Sequence, residues 1–499
     1  MRKHQQRQIL ELLQTINQTQ AVGLYADCQE GAISVGEFIE YIEGEGTQTV
    51  SLLEKYCDIL YEAYHNSSDA RLVKHLKKQL VKVENCVKSE LRPNRIEIAF
   101  ISYKASMSDS IESIYLAAKA DPCCDAFFIP VPYYDINPDN SVGTMHYEGT
   151  DCYGDNIEIT DWRKYDIAAR GPDVIFTFNP YDEGNLVTRI HQDFFCRRLR
   201  ECTDLLIYTP YFVTGGGLKE HFCTTAGCIY AHKVIVQSEK LRDIYISVFQ
   251  KNFGNRLGNA KDKFVAMGSP KFDKVVNAKR ENYKLCDTWR ELIGDKKVVF
   301  YNTSVSSILQ ENEQHLKKIR YDFEVFKERG DIALWWRPHP LSQMTFSSMR
   351  PQLLTEYERI VAEYCRDGWG IYDDTPDLHR AIAWSDAYFG DVSSVVTLFK
   401  AVCKPALYRN AYIDSTIDSI TPSLLPMDFK AHDGSAWLYG ANINGLFEFD
   451  LSESRIALNA FLDKLITGNE ISFTDNGALA ANLDGTCGEK IYQSLTAQI

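Results

Sequence analysis

The stretch Ser385-Asp-Ala-Tyr-Phe-Gly390-Asp391-Val-Ser393-Ser394-Val-Val-Thr397-Leu-Phe-Lys400 reads as one unit of an α/β fold. A short apolar strand over 387–389 runs into a Gly-Asp turn, then Ser-Ser, then a helix. Ser and Asp at such a junction cap the free amides of a first helical turn. The same amides, with the helix dipole, attract a phosphate. Capping alone is the plainer reading. Anion binding at the helix start, by Gly390, Ser393, Ser394 and the neighbouring amides, with Asp391 in the turn, is the sharper one.

Working outward, the same texture repeats. After Pro93 short apolar runs fall at 96–102, 126–131, 173–178, 204–209, 233–237 and 264–267. A second series follows the charged stretch 279–297, at 297–301, 332–336, 370–372, 387–389 and 405–408. Runs this short, rich in Val, Ile and Phe, suit strands buried on both faces. The intervals hold crossover helices, for instance over 311–328 and 352–366. The expected fold class is therefore α/β, with two tandem Rossmann-like doubly wound parallel sheets.

An N-terminal helical region precedes them. Val50, Leu53, Cys57 and Leu60 recur at helical spacing, as do Leu72, Leu76, Leu80, Val83 and Val87. The expected boundaries are 1–92 for this region, 93–290 for an acceptor domain, 291–470 for a donor domain and 471–499 for a tail. From 71 to 95, eight basic residues stand against Glu84 and Glu90. This basic helix, 70–91, reads either as a solvated face over a packed stripe or as a docking face for anionic lipid or a polyanion.

Composition limits the function classes. The 499 residues are 45% hydrophobic and carry a net charge of −14, which suits packed cores and argues against nucleic-acid binding. No apolar run nears the roughly 18–20 residues of a spanning helix. The polar start Met1-Arg-Lys-His-Gln-Gln lacks the apolar core of a secretory signal, so a cytoplasmic location is expected. The 14 cysteines include no Cys-x-x-Cys pair and read as reduced, packed thiols. No metal site is expected from their spacing. Gly-x-Gly-x-x-Gly, Walker and His-Glu-x-x-His motifs are all missing, which sets aside dinucleotide, P-loop and zincin chemistry.

The strand tips carry the remaining candidates. Trp335-Trp336-Arg337-Pro338-His339-Pro340 ends a strand with a guanidinium that can fork onto phosphate and an imidazole that can trade protons. Gly268-Ser269-Pro270-Lys271-Phe272-Asp273 closes the first series, and Tyr301-Asn302-Thr303-Ser304 opens the second with hydroxyls. Such tips face the ligand crevice of an open α/β sheet. Asp135-Ile-Asn137-Pro-Asp139 lacks the glycine of a calcium loop and reads as a polar loop, flanked by Tyr133, Tyr134 and His146. His191 and His232 read as packed or solvated.

Taken in order, Gly-Ser-Pro-Lys-Phe-Asp (268–273), Arg-Pro-His-Pro (337–340), Ser-Asp…Asp-x-Ser-Ser (385–394) and Lys-Pro-x-Leu-Tyr (404–408) resemble the CDP-glycerol glycerophosphotransferase family of teichoic-acid-like synthesis. The resemblance covers about 265 to 410. It implies a glycosyltransferase type B fold and transfer of a polyol phosphate from a CDP-activated donor to an acceptor hydroxyl, with CMP leaving and no cofactor required. By that resemblance His339 contacts the donor phosphates, and Ser393 and Ser394 cradle them. Arg337 adds a fork, Asp391 positions the turn or a donor hydroxyl, and Ser269, Pro270, Asn302 and Thr303 complete the donor side.

Where the family carries a Trp-His-Gly-Thr-Pro-like loop, this chain reads Tyr208-Thr-Pro-Tyr211-Phe-Val-Thr-Gly215. Acceptor contact is expected from Tyr208, Tyr211, Tyr181 and Asp182, with His221 nearby. The acceptor would be a polyol phosphate, a lipid-linked molecule or a glycan, met at the inner face of a cell membrane. A nucleotide-sugar glycosyltransferase of the same fold and a non-catalytic nucleotide-binding assembly protein are the alternatives.

Overall fold

The structure is a computed structural model that describes residues 1–66, 69–137, 139–185, 188–215, 217–375, 377–391, 393–409, 437–439, 451–467 and 479–496. Two compact units are present. One comprises Met1–Ala105, Tyr115–Tyr208 and Thr225–Val234, and the other Ser106–Ile114, Thr209–Thr224 and Ile235–Ile499.

The first unit begins with α1 (Lys3–Ala21), α2 (Tyr25–Glu43), α3 (Gln48–His65) and α4 (Ala70–Glu90). Their stripes meet in one core that includes Ile9, Leu13, Val35, Ile39, Leu53, Tyr56, Leu60, Leu76, Leu80 and Val87. Each such aliphatic side chain stabilises by about 1.5–3 kcal/mol when fully buried. Glu90 then ties two helices: its carboxylate accepts from the amides of Gln48 and Thr49, at 2.7 Å each. On α4 the basic residues Arg71, Lys74, Lys77, Lys78, Lys82 and Lys88 are all exposed, opposite the buried Leu76, Leu80, Val83 and Val87.

Beyond the leader come β1 (Ile96–Ser102), β2 (Cys124–Pro130), β3 (Tyr133–Ile136), β4 (Val142–His146), β5 (Val174–Thr177), β6 (Thr188–Ile190), β7 (Leu205–Tyr208), β8 (Lys233–Val236) and β9 (Phe264–Ala266). The first sheet has the order β2-β1-β5-β7-β8-β9 and is parallel from β2 to β8. Phe100 on β1 stacks on Phe176 of β5 at 5.0 Å. Of the segment read as a polar loop at 135–139, Asp135 and Ile136 end β3, which pairs antiparallel with β4 and β6 in a small sheet, and Asn137 and Asp139 lie in the loop at the hairpin tip. That tip turns through Asn140 at φ +64°, a conformation Asn tolerates better than most residues.

The second unit holds β10 (Lys297–Thr303), β11 (Ile332–Pro338), β12 (Ile371–Tyr372), β13 (Ala387–Asp391), β14 (Ala406–Arg409) and β15 (Trp437–Tyr439). They form a parallel sheet in the order β12-β11-β10-β13-β14-β15. Alternation along β11 sends Trp335 and Trp336 into different cores on opposite faces, so both faces are covered. The helices Glu313–Lys327 and Pro351–Asp367 match the expected crossovers. The stretch read as a tail contains the helix Cys487–Thr496, whose first amides donate to Asp273. The tandem doubly wound sheets of the expected fold class are thus present. All 14 cysteines are free thiols.

Candidate functional site

The strand order of the second sheet reverses between β10 and β13. Such a switch point leaves the carboxyl ends of two neighbouring strands open for a ligand. Register places Asn302 beside both Arg337 and Gly390, and Thr303 beside Pro338. The His339 amide donates to the Thr303 carbonyl at 2.9 Å. On the other flank the Asn302 side-chain amide donates to Ser393 Oγ at 3.2 Å and to the Tyr388 hydroxyl at 3.3 Å. The structure therefore brings the Arg-Pro-His-Pro and Asp-x-Ser-Ser segments to either side of one strand tip. Two strand spacings, about 10 Å, separate them.

The Gly-Asp pair belongs to β13 and is not a turn. Gly390 has φ +133°, and a Cβ there would collide with the Asn302 carbonyl. Only glycine lets β13 run this close to β10. Ser393 caps the helix Ser394–Ala401 by accepting from the Val395 amide at 3.2 Å. Ser394 is exposed in its first turn, as an anion contact requires.

His339 reaches the surface beyond the end of β11. Its Nδ1 accepts from the Leu341 amide at 3.1 Å. In the neutral ring that bond leaves the proton on Nε2, which becomes an outward donor. Surrounding protein lowers the imidazole pKa, which favours the neutral ring. Behind His339 lies a cavity of about 390 Å³, lined by Arg337, His339, Ser342, Tyr357, Tyr372 and Thr375 among others.

Three expectations change on the donor side. Arg337 is not poised to fork onto phosphate: its guanidinium is buried, 2.9 Å from Asp373 and donating to the Thr375 carbonyl. Asp391 does not face a donor hydroxyl; it holds the strand tip instead. It is buried, accepts from the Ser304 amide at 2.7 Å, and pairs with Lys318 at 2.8 Å. Burial would raise its pKa, but Lys318 and the Ser304 bond outweigh that and hold it down at about 2. Asn302 and Thr303 are buried and align the tips without facing outward; Thr303 also accepts from the Trp336 indole at 3.4 Å.

Ser269 and Pro270 likewise have structural work. Gly268 turns at φ +101°, where a Cβ would strike the Ala481 carbonyl, and Pro270 precedes the helix Lys271–Val276. Asp273 on that helix accepts from Ser113 and from the Cys487 and Gly488 amides, anchoring the C-terminal helix. Ser269 faces a cavity of only about 20 Å³, too small for a nucleotide.

The acceptor set divides. Tyr208 is 1% exposed, its ring packed against Gly227, and so is a core residue. Asp182 is buried and accepts from the Cys196 and Arg197 amides at 2.7 and 3.3 Å, capping the helix Cys196–Glu201. Tyr181 and Tyr211 are half-buried and retain access to solvent. The hub Asp373 and the buried Lys318 escaped the sequence reading. Asp373 stands one residue past a strand, a position that could have flagged it. Lys318 lies in the crossover helix Glu313–Lys327, whose helical pattern does not tell a buried lysine from a solvated one.

No family model matches the chain. No curated protein matches it either. Among solved structures it is similar to the wall teichoic acid polymerase TagF, at 14% identity, covering 90% of this chain and 98% of that one, with a TM-score of 0.42. It is also similar to UDP-GlcNAc 2-epimerase from Neisseria meningitidis bound to UDP-GlcNAc, at 8% identity, covering 81% and 100%, with a TM-score of 0.48. An S. aureus MnaA–UDP structure is similar at 13% identity, covering 81% and 96%, with a TM-score of 0.47. At these identities and scores the likenesses carry no argument about what the chain does.

Proposed function

We infer that the chain is a transferase that moves glycerol or ribitol phosphate from a CDP-activated donor to an acceptor hydroxyl in cell-surface polymer or glycan synthesis. One observation carries this reading: a neutral imidazole donor and a serine-capped helix start flank a single strand tip at the switch point. Those are two of the four segments whose sequence resembles the phosphotransferase motifs.

A diphosphate laid across the β10 tip would meet His339 Nε2–H on one side and the amides of Ser394–Ala401 on the other. The acceptor oxygen bonds to the distal phosphorus. The bond from that phosphorus to CMP breaks, and its electron pair leaves on the CMP oxygen. The hydroxyl proton passes to solvent water. Positioned donors stabilise the charge that spreads over the transferring group. No metal enters this reading.

The test is to incubate purified protein with CDP-glycerol, CDP-ribitol and UDP-sugars together with candidate acceptors. CMP release from a CDP-polyol is the expected result. UDP release alone would identify a nucleotide-sugar glycosyltransferase, and binding without turnover would identify an assembly protein.

No helix among the described residues is long and apolar enough to cross a membrane. The proposed location is the cytoplasmic face of the cell membrane, reached through the basic arc of α4. Lysines near an anionic surface contribute about 1 kcal/mol each, less at high salt. Changing Lys74, Lys77, Lys78 and Lys82 to Gln should abolish co-flotation with phosphatidylglycerol vesicles. Equal flotation of wild type and variant would remove the membrane from the proposal.

A further inference from the structure

Beneath the tips of β10 and β13 lies a buried ionic cluster that the sequence did not announce. Lys318, on the helix Glu313–Lys327, places Nζ 2.8 Å from Asp391 Oδ1 and 2.8 Å from Glu311 Oε2. His315, one turn earlier on the same helix, lies 3.7 Å from Glu311. All four side chains are more than nine-tenths buried. Asp322, a turn beyond Lys318, accepts from the Tyr301 hydroxyl of β10 at 2.6 Å.

The cluster leads directly to the site. The second oxygen of Asp391 accepts from the Ser304 amide, the first residue past β10. Ser304 in turn caps the helix Val305–Glu311, which carries Glu311. A closed circuit therefore runs from Lys318 to Asp391, to Ser304, along one short helix to Glu311, and back to Lys318. A lone buried carboxylate would protonate or draw in water, and two carboxylates would repel each other. The ammonium between them removes both outcomes and fixes where β13 ends relative to β10.

We propose that Lys318 is a positioning residue of the transfer reaction, holding Asp391 and through it Ser304, so that His339 and the Ser393 helix start keep their separation across the β10 tip. This rests on the reading of that tip as a diphosphate site. Lys318 touches no substrate; it sets the geometry of groups that do.

The readout is a pH profile with a KM-against-kcat split. In the wild type Asp391 is held at about 2, so it stays ionised throughout pH 5–8 and adds no acid limb there. In Lys318→Met the burial of Asp391 is opposed only by His315 and the Ser304 amide, its strongest counterweight being gone. Its pKa then rises above its ordinary value, and protonation on the way down to pH 5 takes the acceptor from Ser304. Lys318→Met should raise the donor KM about tenfold, with kcat changed less, and should show activity falling toward pH 5. Lys318→Arg should restore most of both, which a purely structural loss would not predict.

Should methionine at 318 prevent folding, the double variant Lys318→Met/Asp391→Asn removes one of the two stranded carboxylates and leaves Glu311 beside His315. A folded double variant with a raised donor KM supports the proposal. A wild-type KM and pH profile in either folded variant overturns it. If the wild type binds CDP in calorimetry yet Lys318→Met binds it equally, the positioning role alone falls. If the wild type binds neither CDP nor UDP, the diphosphate reading falls and this proposal with it.

Discussion

His339→Ala should leave a folded protein that releases CMP from a CDP-polyol about a hundredfold to a thousandfold more slowly. The size follows from chemistry: removing one positioned donor aimed at developing charge typically costs that much. The fold should survive because the ring reaches the surface and, among the described residues, its hydrogen bond is to the Leu341 amide, which water can replace. Exposed substitutions of this kind usually change stability by less than about 0.5 kcal/mol. Single-turnover CMP release beside a thermal melt separates the two effects.

His339→Gln, whose side-chain amide offers a donor, should recover part of the rate. The pH profile carries a sign. Because the imidazole pKa is lowered, the neutral ring is the form present at pH 7. Activity limited by His339 should therefore hold from neutral pH upward and fall only on acidification. A rate that climbs as pH drops below 7 would mean that the imidazolium acts, and the neutral-donor assignment would fail.

The residues at this site differ in how legible they were. Strand tips could be located because short runs of Val, Ile and Phe between polar segments mark buried parallel strands. The β1 run, Ile96–Ser102, has the boundaries that its sequence suggested. What a one-dimensional pattern does not give is the environment a side chain meets. Arg337 looked like a phosphate ligand because it stands beside His339. Strand alternation gives it the same side as Trp335, and both side chains close on Asp373.

Gly390 shows the same limit. Read locally, Gly-Asp before Ser-Ser is a turn; in three dimensions the glycine is required by a neighbouring strand some ninety residues away, at Asn302. Tyr208 failed as an acceptor contact for a related reason. The burial of both strand faces that covers Leu206 and Ile207 continues through it, and Gly227 leaves room for its ring.

Asp373→Ala should cost about 3–5 kcal/mol of stability, the range for breaking a buried ion pair by removing one partner. Asp373 has no exposed surface. Its carboxylate lies 2.9 Å from Arg337 and 3.3 Å from Arg380, and accepts from the Trp335 indole at 3.0 Å and the Thr375 hydroxyl at 2.7 Å. Alanine strands two guanidiniums at once. A stranded lysine or carboxylate could escape by changing its protonation, but arginine does not deprotonate in proteins, so the penalty should persist across the whole pH range.

Arg337 also lines the cavity behind His339, toward which its freed guanidinium can turn. Donor binding should therefore change together with stability. Adding Arg337→Met to Asp373→Ala removes one of the stranded charges, and chemical denaturation should show part of the loss recovered, a coupling of about 1–3 kcal/mol between the two positions. Strict additivity would instead mean that the pair does not interact, and that the wall of the cavity is held by packing alone.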